Sequence, residues 1–124
     1  MERNWDLIRE ILRILAEKSP DDYGKSLGDR YFIEKLPSYH KNIVKYHLKM
    51  MVDARLIEGE NASTLASENY EIKEMTVQGL NLWEEIKEKS VWDKIKKYAK
   101  DKQVELSFEA IKTITPVLLK TMCL

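Results

Sequence analysis

Met51-Val52-Asp53-Ala54-Arg55-Leu56-Ile57-Glu58 is the stretch on which the fold turns. Upstream of it Val44, Leu48, Met51 and Val52 form one apolar stripe at helical spacing, and Pro37 blocks continuation from earlier residues. The spacing predicts a helix from Ser38 to near Arg55. Leu56-Ile57-Glu58-Gly59 follows at once as a β-like segment. Tyr70-Glu71-Ile72-Lys73-Glu74-Met75 is its partner, across a polar stretch rich in Glu, Asn, Ser and Thr. A helix that runs straight into a strand needs a sharp reversal at its end. The close resembles a Leu-x-x-x-Gly-Leu-Ile pattern in which Arg55 stands where glycine is usual. At a left-handed C-cap a side chain there costs about 1 kcal/mol or somewhat less.

Working outward, Asn4 is a good N-cap for a helix over residues 5–18, on which Trp5, Ile8, Ile11, Leu12 and Leu15 share a face. Ser19-Pro20-Asp21-Asp22-Tyr23-Gly24 breaks it, and Gly24 and Gly28 bracket a stretch of open state. Tyr31-Phe32-Ile33 reads as a short strand or the end of a short helix. A helix, a short extended piece, a second helix and a two-stranded hairpin make the minimal winged-helix order, a relative of the helix-turn-helix. The fold class expected is mainly α with a small β-hairpin, a winged helix-turn-helix with a C-terminal helical extension.

Residues 1–75 would form that core, and residues 76–124 an extension packed on it as one compact domain. In the extension Thr76 caps a helix carrying Val77, Leu80, Trp83 and Ile86, and Ser90-Val91-Trp92-Asp93 resembles a capping box. Val91, Trp92, Ile95, Tyr98 and Ala99 supply the buried face of the helix after it. A last helix starts near Ser107, and Pro116 is expected to kink it or divide it in two.

Composition bounds the function. At 124 residues and 44% hydrophobic the chain can bury one core without disulfides or metals. Its 21 basic and 21 acidic residues cancel, so no global field steers it toward phosphate backbones or anionic membranes. Cys123 is the single cysteine, which leaves no disulfide framework, CxxC pair or zinc-finger spacing. The N-terminus enters a charged amphipathic pattern directly, and no apolar run approaches the roughly 18 residues a bilayer span needs. A cytoplasmic location with no membrane partner is the expectation.

Four segments carry a resemblance to a known family. They are Trp5-Asp6-Leu7-Ile8-Arg9-Glu10-Ile11-Leu12; Lys45-Tyr46-His47-Leu48-Lys49-Met50-Met51-Val52-Asp53-Ala54-Arg55-Leu56-Ile57; Thr76-Val77-Gln78-Gly79; and Val91-Trp92-Asp93-Lys94-Ile95-Lys96. Together they resemble the domain-of-unknown-function family numbered 2513. The resemblance implies a small, winged-helix-like protein of the kind often encoded by phages or prophage regions, with no catalytic residues to carry over.

Lys41, Lys45 and Lys49 lie at i, i+4 and i+8, so they align on one helix face with Ser38, Asn42 and Tyr46 nearby. In a recognition helix the lysines neutralise phosphates while Ser38, Asn42 or Tyr46 reaches base edges of double-stranded DNA. An ordinary solvated helix face gives the same spacing. The hairpin pulls the other way: Glu60 and Glu68 lie between Gly59 and Asn69 without a lysine or arginine, and Glu58, Glu71 and Glu74 add negative charge on the strands. An acidic wing repels a phosphate backbone.

No catalytic residues are expected, since no Ser-His-Asp order, P-loop or HExxH string is present. His40 and His47 stand two turns apart, about 10 Å along a helix and too far to share a metal, and His47 reads as structural beside Leu48. No metal or cofactor is called for. Lys94, Lys96, Lys97, Lys100 and Lys102 interleave with Trp92, Ile95 and Tyr98 as the wet side of a packed helix or a second phosphate contact. Phe108, Ile111, Ile114, Leu118, Leu119 and Met122 give the last segment more apolar surface than a tail needs, a candidate homodimer or partner face. Two functions follow: a DNA-binding regulator of a phage or mobile element, or a module that docks a host or phage protein on the same scaffold.

Overall fold

The computed structural model describes residues 2–62, 65 and 69–122, with side chains through residue 120. Glu68, the Met122 side chain and Cys123 lie outside the described residues. The chain divides into two compact units, Met1–Leu80 and Asn81–Leu124. Its architecture is mainly helical with a small antiparallel sheet of three strands.

In the first unit, helix α1 (Trp5–Ala16) starts where Asn4 Oδ1 accepts the Leu7 N–H at 3.1 Å. It buries Leu7, Ile8, Ile11, Leu12, Ile14 and Leu15. The expected end at Lys18 is two residues too late. Lys18 leaves the helix so that its ammonium can meet the Lys25 and Lys73 carbonyls and the Glu74 carboxylate, the last at 2.7 Å. A 3-10 turn (Pro20–Asp22) and Gly24 at φ +83° then lead to strand β1 (Leu27–Gly28) and helix α2 (Asp29–Lys35). Tyr31-Phe32-Ile33 therefore belongs to a helix, and Phe32 is its fully buried anchor.

Helix α3 (Lys41–Asp53) begins three residues after the expected start at Ser38, which falls instead in the preceding turn. His40 is the N-cap, its Nδ1 accepting the Asn42 N–H at 3.1 Å. Val44, His47, Leu48 and Met51 are buried. At the other end Arg55 adopts φ +60°, the left-handed position foreseen for it. The Arg55 N–H donates to the Val52 carbonyl at 3.0 Å and the Leu56 N–H to Met51 at 2.9 Å, the paired bonds of a Schellman close.

Strands β2 (Ile57–Asn61) and β3 (Tyr70–Met75) follow, and the sheet order is β1-β3-β2. The register pairs Ile57 with Met75, Gly59 with Ile72, Glu60 with Glu71 and Asn61 with Tyr70, with an irregularity between Ile57 and Gly59. A Cβ on Gly59 would come within 2.8 Å of both Ile72 and Val52, so α3 and the sheet close on bare backbone there. The expected two-stranded hairpin is thus extended by β1, whose Leu27 pairs with Ile72 and Gly28 with Glu71.

Helix α4 (Val77–Ile86) crosses from the first unit into the second. Thr76 ties its start to the α3 close: its N–H and hydroxyl donate to the Leu56 and Arg55 carbonyls at 3.0 and 2.5 Å, and its Oγ1 accepts the Gly79 N–H at 3.0 Å.

The second unit holds helices α5 (Lys89–Asp101) and α6 (Phe108–Met122), which pack on each other. Helix α5 starts at Lys89 with Glu88 as N-cap and no side-chain cap bond, so Ser90 lies in the first turn and forms no capping box. Val91, Trp92, Ile95 and Ala99 are its buried residues, and Tyr98 is only half-buried. The helix closes on Gln103 at φ +55°, a second Schellman-type end with the Val104 N–H bonded to Ala99 at 2.8 Å. Ser107 caps α6 by accepting the Ala110 N–H at 3.0 Å. Pro116 does not divide α6, which continues as one helix through it.

Candidate nucleic-acid interface

The outer face of α3 assembles the residues singled out from spacing. Ser38 is exposed in the turn before the helix, and Lys41 and Asn42 are exposed in its first turn. Lys45 and Tyr46 are half-buried one turn on, and Lys49 is exposed one turn further. Tyr46 stands edge-on to the His47 ring with centroids 5.5 Å apart.

Charge on this face is partly spent within the protein. Lys45 Nζ lies 3.5 Å from Asp29 Oδ2, and Lys49 Nζ lies 3.1 Å from Asp53 Oδ2. Those two pairs differ in kind. The Asp53 side chain is 65% exposed, whereas that of Asp29 is 10% exposed. Asp29 Oδ2 accepts no hydrogen bond, so Lys45 meets it at ion-pair range without hydrogen-bond geometry. Among the described residues Lys41 forms no ion pair.

Helices α2 and α3 bound a groove of about 280 Å³ lined by Asp29, Arg30, Ile33, Lys41, Lys45 and Asn69. Arg30, exposed on α2, thus joins Lys41 and Lys45 as a cation facing one space. The lysine spacing did not find it, because the state of residues 24–33 was open and no periodicity linked them to α3. Asp29 escaped for the same reason.

The hairpin is less uniformly acidic than its sequence suggests. Glu74 does not contribute free negative charge: Lys18 pairs with its carboxylate at 2.7 Å, and the Gly24 N–H donates to it at 3.1 Å. Glu58 and Glu60 are exposed, and Glu60 lies directly opposite the half-buried Glu71 across the β2–β3 ladder.

His47 is buried and tied at both ring nitrogens. Its Nε2 accepts the Asn4 N–H at 2.8 Å and its Nδ1–H donates to the Ile43 carbonyl at 2.8 Å, an arrangement that requires the neutral ring. Burial pushes its pKa below the ordinary 6.5; the bond to Ile43 opposes this and nearby Arg3 adds to it. Among the described residues no group of three His, Cys, Asp or Glu could hold a metal ion. No helix is long and apolar enough to cross a membrane, again among the described residues.

The candidate partner face on α6 is divided by the packing. Ile111 and Ile114 are buried and therefore unavailable as surface, a correction to their reading as partner residues. Their positions one turn apart turn inward with Thr115. Phe108 and Leu118 are half-buried, and among the described residues of this helix Val117 and Leu119 are exposed large apolar side chains. On α5, Lys94, Lys97, Lys100 and Lys102 are exposed, while Lys96 lies 5.6 Å over the Trp92 ring.

Comparison with known proteins adds a family. Residues 2–105 match the model described as "Hypothetical protein (DUF2513)". The chain belongs to that family. A relative in Haemophilus influenzae (strain ATCC 51907 / DSM 11121 / KW20 / Rd), described as "Uncharacterized protein", is 34% identical over 122 residues, 98% of each chain. No solved structure matches this DUF2513 member.

Proposed function

We propose that the first unit of this DUF2513 protein is a winged helix that binds double-stranded DNA with α3 as its reading helix. The order α1-β1-α2-α3-β2-β3, with β3 central in the sheet, supports the fold reading. The observation that carries the function is convergence: Arg30 from α2 and Lys41 and Lys45 from α3 line one groove, beside the exposed polar groups of Ser38 and Asn42. Arg30 from α2 and Lys41 from α3 grip the phosphate backbone, and Asn42, Ser38 and Tyr46 supply the hydrogen-bonding groups that read base edges. Glu58 and Glu60 keep the hairpin off the duplex. The protein acts as a regulator of a mobile element and performs no catalysis.

Fluorescence anisotropy against random duplex DNA at about 50 and 200 mM salt tests this. Salt-sensitive binding that is lost when Arg30, Lys41 and Lys49 are all replaced by alanine is the expected result. Absence of binding at the lower salt, to random duplex and to genomic fragments alike, refutes it.

A second reading has its own support. Glu60 facing Glu71 places like charges opposite each other at a cost to the hairpin, and a basic protein partner is what such a strand pair attracts. In that reading the same scaffold docks a host or phage protein, and salt weakens the complex through the hairpin, leaving α3 variants unaffected. Self-association through Val117, Leu119 and Leu118 of α6 is compatible with either reading; sedimentation of a Val117→Lys, Leu119→Lys variant tests it.

A further inference from the structure

We propose that Asp29 withholds Lys45 from a bound duplex, so that backbone contact at the α2–α3 groove rests on Arg30 and Lys41. The inference rests on the duplex reading above and concerns which cations that site can spend.

The lysines of α3 look equivalent by spacing, and their partners make them unequal. Lys49 pairs with an exposed carboxylate, which water solvates as soon as the ammonium moves to a phosphate. Lys45 pairs with a carboxylate that is nine-tenths buried, and its Oδ2 accepts no hydrogen bond that could replace the cation. Moving Lys45 onto a phosphate would strand a buried charge without a counter-ion, the most unfavourable way to break such a pair. A phosphate entering the groove would also meet the Asp29 carboxylate itself, because Asp29 lines the same space.

Asp29 therefore sets how strongly the groove holds the phosphate backbone of any sequence. By removing one cation from the phosphate contacts it weakens binding to every sequence alike and leaves discrimination with the groups that read base edges. Arg30 and Lys41, both exposed, remain free to exchange water and counterions for phosphate.

The test is the slope of log affinity against log salt, measured by anisotropy on random duplex DNA between about 50 and 200 mM for the wild type and four variants. Each phosphate contact contributes a slope of about −0.9, equal to an affinity change of about 3.5-fold over that range. Arg30→Ala and Lys41→Ala should each flatten the slope by about 0.9, and Lys45→Ala should leave it at the wild-type value. Asp29→Asn should release Lys45 and steepen the slope by about 0.9. Lys45→Ala leaves Asp29 without its counter-ion, so the folding of both Lys45→Ala and Asp29→Asn is judged by far-ultraviolet circular dichroism. Where one fails to fold the other decides alone, Asp29→Asn by steepening the slope and Lys45→Ala by matching the wild type where Lys41→Ala flattens it. Equal flattening by Lys41→Ala and Lys45→Ala overturns the role of Asp29 and leaves the duplex reading standing. Loss of binding by wild type and Asp29→Asn alike refutes both.

Discussion

At the residue scale, His47 holds a buried neutral ring and Arg55 a left-handed backbone, and both give measurable consequences. His47 accepts the Asn4 N–H at the start of α1 and donates to Ile43 within α3, so it joins the two helices only while neutral. Its pKa is lowered chiefly by burial from 6.5, so the unfolded chain binds the proton more readily than the folded one. Its contribution to stability is complete above about pH 6.5 and is lost progressively as pH falls below that value. Urea unfolding at a series of pH values should show stability falling on the acid side. His47→Gln, which cannot titrate, should flatten that limb and lower stability at pH 7 by about 1–3 kcal/mol through the disturbed bonds. An unchanged acid limb in the variant would show that carboxylates, not His47, produce it. Arg55 poses the opposite problem, since its φ of +60° is unfavourable for any residue with a Cβ. Arg55→Gly should raise stability by up to about 1 kcal/mol, read as a higher urea midpoint with an unchanged m-value. A lower midpoint would mean that the Arg55 side chain contributes more than the strain it carries.

At the scale of elements, the α3 close, the sheet and the start of α4 behave as one joint. Thr76 bonds to Arg55 and Leu56, and a Cβ on Gly79 would collide with the Leu56 carbonyl oxygen. Because that obstacle is backbone, a neighbouring rotamer cannot relieve it. Gly79→Ala should destabilise by about 3 kcal/mol despite the better helix propensity of alanine, and thermal unfolding checks this. A neutral result would mean that α4 can swing away from Leu56. These elements also show what a sequence can disclose. Helices α1, α3 and α5 announce themselves because an apolar stripe must recur over several turns, and the Arg55 reversal is visible because helix and strand patterns abut. Strand β1 is two residues long, and Leu27 and Gly28 are too few to display any period. Helix α2 is hidden for a related reason: its seven residues, which follow the stretch bracketed by Gly24 and Gly28, bury Phe32 and Asp29 alone. The candidate interface inherits this division. Lys41, Lys45 and Lys49 are legible from α3, while Arg30 and Asp29, which line the same groove, depend on where tertiary packing places α2. Burial of Ile111 and Ile114 is not legible in the sequence because an apolar stripe looks the same whether a neighbour or a partner covers it.

At the scale of the whole molecule, the balance of 21 basic and 21 acidic residues would govern how the proposed duplex is approached. With no net charge the protein has no long-range attraction to a polyanion, and the Debye length of roughly 8–10 Å at 0.10–0.15 M salt confines the α3 cations to short reach. The exposed Glu60 and its cross-strand neighbour Glu71 place like charges together on the hairpin. Glu60→Lys converts that repulsion into an attractive pair and should stabilise the hairpin by about 0.2–1 kcal/mol. If the hairpin stands clear of the duplex, the same variant leaves the salt slope of DNA binding unchanged; a steepening by about 0.9 would show that this strand reaches a phosphate. Neutrality also divides the salt effect between the two rate constants. Association should stay near the unsteered range of about 10⁵–10⁶ M⁻¹s⁻¹ and change by less than about threefold between 50 and 200 mM salt, so that dissociation carries most of the change in affinity. Stopped-flow anisotropy separates the two. An association rate that collapses with salt would mean that local clustering of cations, and not the overall balance, sets the approach to DNA.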